Sequence, residues 1–264
     1  MGLYYDPNIR ILIINRNTLR KWHTDDFKVS FWRLYWDSAP GATISYRDKV
    51  ISLTPGRIVL VPPNTGISQR LVHGTPSQFY AHFFADAPFD RLHSRIYVFK
   101  PEPDMLAMMK SLPANDKNHL VHDLELTLSV RGLIHYLLAR IPAAELQTTT
   151  RRPPRLTENM AFIESHIHRS VSDREIAQHI GLSVNAMLRI YKRELGISPQ
   201  KYLRRKRIEK ACALLHDPQR SIKQIAEETG FCDRYYFSRA FKDLQNITPS
   251  KYRIRFGTDQ GNRP

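Results

Sequence analysis

Cysteine is nearly absent from this chain: Cys212 and Cys232 are the only two in 264 residues. A disulfide framework therefore does not hold the fold together, and a reducing cytosol is the natural setting. Long apolar runs are missing as well. No stretch approaches the roughly 20 residues that a membrane helix needs. The first twelve residues alternate apolar, polar and charged side chains and hold no signal-peptide core, and Asp6 stands where a myristoylation signal wants Ser or Thr. The expectation is a soluble, cytoplasmic, nucleoid-associated protein with no membrane partner. Acidic residues are scarce: 25 Asp and Glu face 40 Lys and Arg, a net charge of +15 and a pI near 10. That balance suits a polyanionic partner. What is present argues against disorder, since 42% of residues are apolar, with 12 Phe, 12 Tyr and 3 Trp, enough for real cores in one large domain or two ordinary ones.

The C-terminal part states one pattern twice. Ile176, Ala177 and Gly181 recur as Ile225, Ala226 and Gly230 at a constant separation. After the glycines the separation grows by one residue, pairing Ser183 with Asp233, Tyr191 with Phe241, Pro199 with Pro249 and Tyr202 with Tyr252. The step falls in a turn, where insertions are best tolerated. Each copy reads as helix, glycine-containing turn, helix, which is the layout of a helix-turn-helix. Two such units on a very basic chain point to duplex DNA.

Upstream, the residues between Phe27 and Phe84 read as short strands, notably 27–36, 49–53 and 57–61, separated by Pro/Gly/Asn turns. Strands at this spacing suggest a barrel or sandwich. After Pro101 the periodicity becomes helical, over 104–112 and 120–141. In the longer segment Leu120, Leu124, Leu128, Arg131, His135 and Leu138 approximate one stripe, broadened by Leu126, Val130, Leu133, Ile134 and Leu137. Such a helix must be covered, by its own barrel, by a second copy of the chain, or by both. Residues 147–155 (QTTTRRPPR) have the composition of a linker. The expected domains are therefore 1–146, the linker 147–155, 156–256, and a tail at 257–264.

Within the repeat, a first helix spans 156–167. Ser172 caps the next, with Glu175 three residues on completing a capping box. Gly181 supplies backbone freedom for the turn, and Ser183 and Asp233 stand at matching cap positions. In the first recognition-type helix, 184–195, Met187, Ile190 and Tyr191 face the core, leaving Asn185, Leu188, Arg189 and Lys192 outward. In the second, 234–244, Phe237, Ala240, Phe241 and Leu244 face inward, leaving Arg234, Tyr235, Ser238, Arg239 and Lys242. Arg suits guanine edges, Asn suits adenine, and Lys and Ser suit phosphates. Pro199 opens a connecting helix to about Leu215, with Arg204, Arg205, Lys206 and Lys210 on its exposed side. Two helices reading one face of B-DNA sit about 34 Å apart, a distance a stiff connecting helix can fix.

These residues resemble the AraC-type DNA-binding domain. The resemblance covers roughly 156–256. It rests on Gly181-Leu182-Ser183, Arg189-Ile190-Tyr191-Lys192 and Gly196-Ile197-Ser198-Pro199 in the first half. In the second half it rests on Ser221 to Ala226, Gly230-Phe231, Tyr236 to Lys242, Thr248-Pro249-Ser250 and Tyr252-Arg253. Asn246 departs from the family's usual glycine, and Asn is the next-best residue for a left-handed helix end. The resemblance implies base-reading roles for Asn185, Leu188, Arg189, Arg234, Tyr235, Ser238 and Arg239, with Lys192 and Lys242 beside them on the backbone. The N-terminal half is similar to the cupin-like effector-sensing domain of the sugar-responsive members, followed by dimerisation helices. That likeness rests on Leu53 to Asn64 and the aromatic strand Phe79 to Phe84. The His-x-His pair of metal-dependent cupins has no counterpart, so neither a metal site nor a cofactor is expected.

The implied fold is α+β, a β-rich cupin-like barrel with dimerisation helices followed by an all-α domain. The implied function is a dimeric, sequence-specific transcription regulator, not an enzyme, answering to a small molecule such as a sugar and with RNA polymerase as a further partner. Trp36, Gln69, Tyr80 and His82 are the candidate ligand contacts, because aromatic faces suit sugar rings and Tyr80 and His82 share one strand face. Two alternatives stand beside this reading: a constitutive, ligand-independent activator, and a cupin enzyme fused to a DNA-binding domain.

Overall fold

In a computed structural model of the chain, the described residues are 7–112, 124–146 and 153–256. They fall into two compact units, the first ending at 146 and the second starting at 153. The expected linker lies outside the described residues as far as 152, and the expected tail lies wholly outside them. So do residues 120–123, the start of the long helix expected from the sequence.

The first unit contains β1 (Arg10–Thr18), β2 (His23–Phe27), β3 (Trp32–Asp37), β4 (Ala42–Tyr46), β5 (Lys49–Ser52), β6 (Ile58–Val61), β7 (Ile67–Leu71), β8 (Ser77–Phe84) and β9 (Tyr97–Phe99). Helices α1 (Pro103–Ser111) and α2 (Leu124–Ala139) follow. The strands pair antiparallel in two sheets, of order β1-β8-β3-β6-β9 and β2-β7-β4-β5. The single strand expected over 27–36 is in fact two strands in different sheets, broken at Lys28–Phe31. Buried Arg33 ties that break down, donating to the carbonyl of Phe27 at 3.2 Å and to that of Thr65 at 2.6 Å.

Alternation along β3 gives the larger sheet two different faces. Trp32, Leu34 and Trp36 share a core with Ile58, Leu60, Phe79, Phe83 and the buried side of α2. Tyr35 lies on the other side with Val59, Val61, Ala42, Ile44 and Ile67, between the two sheets. The buried side of α2 is Leu126, Val130, Leu133, Ile134, Leu137 and Leu138. Leu124 and Leu128, from the stripe picked out in the sequence, are instead 72% and 57% exposed.

The second unit comprises α3 (Pro154–Ser165), α4 (Asp173–His179), α5 (Val184–Leu195), α6 (Pro199–Leu214), α7 (Ile222–Glu228), α8 (Arg234–Gln245) and α9 (Pro249–Phe256). Proline opens α3, α6 and α9, where its missing N–H costs no helical hydrogen bond. Leu156, Met160, Ile163, Ile176, Met187, Tyr191 and Tyr202 form the first core. In the second, Phe237, Phe241 and Tyr252 pack in sequence with their ring planes steeply inclined, the last pair edge to face, at centroid separations of 5.8 and 5.3 Å. Leu244 is half-buried and Gln245 takes the buried place at the end of α8. Cys212 is core and Cys232 is exposed.

Candidate nucleic-acid interface

Local chemistry fixes both recognition-type helices. Ser183 caps α5, its hydroxyl accepting from the amide of Ala186 at 3.3 Å. Asp233 caps α8 more fully, accepting from the amides of Tyr235 at 3.0 Å and Tyr236 at 2.8 Å. Those two N–H bonds hold the Asp233 carboxyl below the usual aspartate range. The helices end at left-handed residues, Gly196 (φ +71°) and Asn246 (φ +62°). The preceding helices differ. Ser221 and Gln224 form a reciprocal capping box at α7. At α4 Ser172 accepts from Glu175 N, but the Glu175 side chain turns to Arg169 instead of completing the box expected from the sequence.

On α5, Asn185, Arg189 and Lys192 are exposed, while Leu188 is half-buried against the first core. On α8, Arg234, Tyr235, Arg239 and Lys242 are exposed and Ser238 is half-buried. The Arg234 guanidinium lies 5.8 Å from the centroid of the Tyr235 ring. Sequence reasoning passed over two exposed residues on these helices, Tyr236 and Arg193. Tyr236 is 46% exposed and abuts Phe231; its hydrophobic class hid it. Between them the two helices thus present guanidinium, ammonium, amide and hydroxyl groups outward, the donor set that phosphates and base edges accept.

Not every basic residue of α6 is outward. Lys206, expected on the exposed side, is buried, with Nζ 3.1 Å from Glu164 and 3.5 Å from the equally buried Glu209. A buried ammonium must be paired, and its partners lie on α3 and on its own helix, so this charge serves the fold.

In the first unit, Gln69, Tyr80 and His82 come together and Trp36 does not. The paired rows of β1, β8 and β3 place Asn15, Tyr80 and Tyr35 side by side, with Asn17, Gln78 and Asp37 in the next inner row. Gln69, from the opposite sheet, donates to the Tyr35 hydroxyl at 2.9 Å and accepts from Thr24 at 3.2 Å. Asn15 donates to Tyr80 at 3.3 Å, and burial pushes the Tyr80 hydroxyl up to about 12. The His82 and Tyr80 rings lie 5.2 Å apart. Trp36 points to the helix side of the sheet, where its indole N–H donates to Pro55 O at 3.0 Å. The reason is parity: Trp36 is one residue from Tyr35 and Asp37 and so faces the opposite way. Among the described residues no group of three or more His, Cys, Asp or Glu is placed to hold a metal ion. Nor is any helix among those residues long and apolar enough to cross a membrane.

Comparison with known proteins bears on the second unit most directly. Residues 176–255 match the family described as a helix-turn-helix domain. The HTH-type transcriptional activator RhaS of Klebsiella pneumoniae is 30% identical over 156 residues, covering 59% of this chain and 53% of that protein. The MmsAB operon regulatory protein of Pseudomonas aeruginosa is 31% identical over 134 residues, covering 48% and 44%. The chain thus spans about half the length of the curated relatives it matches. ToxT from Vibrio cholerae shares the fold over 93% of this chain and 98% of its own, with a TM-score of 0.54 at 14% identity. Residues 176–255 thus form a helix-turn-helix domain similar to those of these transcription regulators.

Proposed function

We propose that the chain is a sequence-specific, DNA-binding transcription regulator in which both recognition helices engage one duplex. The observation that carries this reading is the pair of capped helices, α5 and α8, each with a buried apolar side and a basic, polar outer side. Arg234, Arg239, Asn185 and Arg189 take the base edges. Lys192, Lys242 and Ser238 hold the backbone, and Leu188 and Tyr235 make apolar contacts with thymine methyls or sugars. Selection of bound duplexes from a random library at near-physiological salt tests this, because salt suppresses backbone-only binding. Two short enriched elements about one helical turn apart are expected; no enrichment, with or without effector, would sink the reading.

The N-terminal unit, up to about 146, is the effector-sensing half. The inner face carrying Asn15, Gln69, Gln78, Tyr35, Tyr80 and His82 favours a hydroxylated ligand such as a sugar. Hydroxyls both donate and accept, so they can replace the Gln69–Tyr35 and Asn15–Tyr80 hydrogen bonds one for one. ToxT has been solved with an unsaturated fatty acid bound, yet a face of amides and phenols is a poor match for an acyl chain. Binding of a panel of sugars and fatty acids, followed by calorimetry, separates the two. The exposed α2 edge of Leu124, Leu128 and Tyr136 supports a homodimer, and RNA polymerase is the further partner of such a cytoplasmic regulator. The homology to regulators favours a non-enzymatic role.

A further inference from the structure

The two turn glycines of the repeat are equivalent in sequence and unlike in surroundings. Both have left-handed backbone, φ +63° at Gly181 and +74° at Gly230. A Cβ at Gly181 would meet nothing within 4 Å among the described residues. At Gly230 it would lie 2.4 Å from the Ile167 carbonyl oxygen and 2.9 Å from Nη2 of Arg207. The α7–α8 turn is therefore pressed onto the α3–α4 connection, where any side chain beyond hydrogen would collide.

Arg207, on α6, completes this junction. Its Nε donates to Ile167 O at 2.8 Å and its Nη2 to Arg169 O at 2.5 Å. Both carbonyls lie just past the C-terminus of α3, where the backbone has run out of helical partners. The same guanidinium sits 5.5 Å from the centroid of the Phe231 ring, in the α7–α8 turn. Arg169 is itself ion-paired to Glu175 in the first turn of α4. A continuous line of contacts thus runs from the α7–α8 turn through Arg207 and Arg169 to α4.

Resting on the reading that both units engage one duplex, we infer that Arg207 is a positioning residue for DNA recognition, setting the separation of α5 and α8 by locking the Gly230–Phe231 turn to the Ile167–Arg169 segment. A planar guanidinium fork can hold two carbonyls and an aromatic face together; an ammonium cannot reproduce that geometry.

The test uses the full chain and the two-element duplexes it selects, remade with the elements moved one or two base pairs closer or farther. The wild type prefers the selected spacing by about tenfold or more, as a rigid two-site reader should. Arg207→Gln keeps its affinity for duplexes carrying either element alone and loses most of that spacing preference, and Arg207→Lys falls between. Gly230→Ala displaces the same turn by a different route and reproduces the loss, whereas Gly181→Ala does not. If Arg207→Gln fails to fold, as judged by circular dichroism, Arg207→Lys and Gly230→Ala carry the comparison. A wild-type spacing preference in Arg207→Gln, or in the remaining pair, overturns the inference. So does equal weakening on one-element and two-element duplexes, which would mark Arg207 as merely structural. A single element enriched by the wild type removes the two-unit reading and this inference with it, while failure of the inference alone leaves the wild-type two-element motif intact.

Discussion

The Tyr191 hydroxyl donates to Oδ1 of Asn159 at 2.8 Å, with both side chains fully buried. Asn159 passes the connection on, its Nδ2 donating to Ile176 O at 2.7 Å. One amide therefore joins α3, α4 and α5. Tyr191→Phe leaves a buried acceptor without its donor and should cost about 1–3 kcal/mol. Asn159→Leu strands two groups and should cost more. Urea unfolding of the second unit measures both, and an unchanged midpoint in Tyr191→Phe would show the bond to be dispensable.

Asp37 should make the first unit less stable as pH rises. Its Oδ1 accepts from Gln78 at 2.9 Å, but Oδ2 is buried with no hydrogen-bond partner among the described residues. Burial raises its pKa to about 7, opposed by the Gln78 bond. The folded state thus holds the proton more tightly than the unfolded chain, so stability falls between about pH 4 and pH 7 and levels off above. Asp37→Asn should flatten this slope and raise the melting temperature at pH 8. A slope that survives the substitution assigns it elsewhere.

Arg239→Ala should weaken binding to the selected duplex by about 1–3 kcal/mol and relax one base position. Lys242→Ala should weaken all sequences alike and reduce the slope of log affinity against log salt by about one. Titration of specific and scrambled duplexes across salt distinguishes the roles; interchanged behaviour would exchange the assignments.

Trp36 and Gln69 should separate cleanly. Trp36→Phe removes a buried indole and its bond to Pro55, costing about 1–3 kcal/mol of stability, and leaves ligand affinity as it was. Gln69→Ala should change ligand affinity instead. Thermal melts with and without the sugar that binds best supply both readouts, and ligand affinity lost in Trp36→Phe would return that residue to the site.

Leu128→Glu should shift the protein toward monomer in sedimentation experiments without lowering its melting temperature, because Leu128 is 57% exposed on the α2 edge. A mass distribution like the wild type's would place the dimer contact elsewhere.

What could be read from the residues alone was mostly what is local. Ser183, Asp233, Asn246 and Pro199 declare their roles within four residues of chain, and α5 and α8 follow from the caps. Strand pairing is not local. The short segments of β4 and β7, ATISY and ISQRL, gain their identity from pairing with each other and have too little pattern to announce it. The same holds for facing. Trp36 and Tyr35 are equally plausible pocket residues until the second sheet chooses a side. Helix α2 carries leucines around more than half its circumference, so only the sheet beneath decides that Leu126 is buried and Leu124 is not. Lys206 looked solvent-facing because its partner Glu164 lies 42 residues away.

The cap of α8 bears on the proposed engagement of DNA. A helix start is ordinarily a ready cradle for phosphate, since its free amides and positive dipole end both favour an anion. Here the amides of Tyr235 and Tyr236 are already engaged by a carboxylate, so this helix arrives with its own resident anion in the place a phosphate would occupy. On the DNA-binding reading proposed above, the negative backbone of the duplex would pass to one side of Asp233, beside Arg234 and Arg239. The residue that stops the helix from fraying would then also serve as a repulsive guide pin, steering the helix tip into the groove and away from the strand.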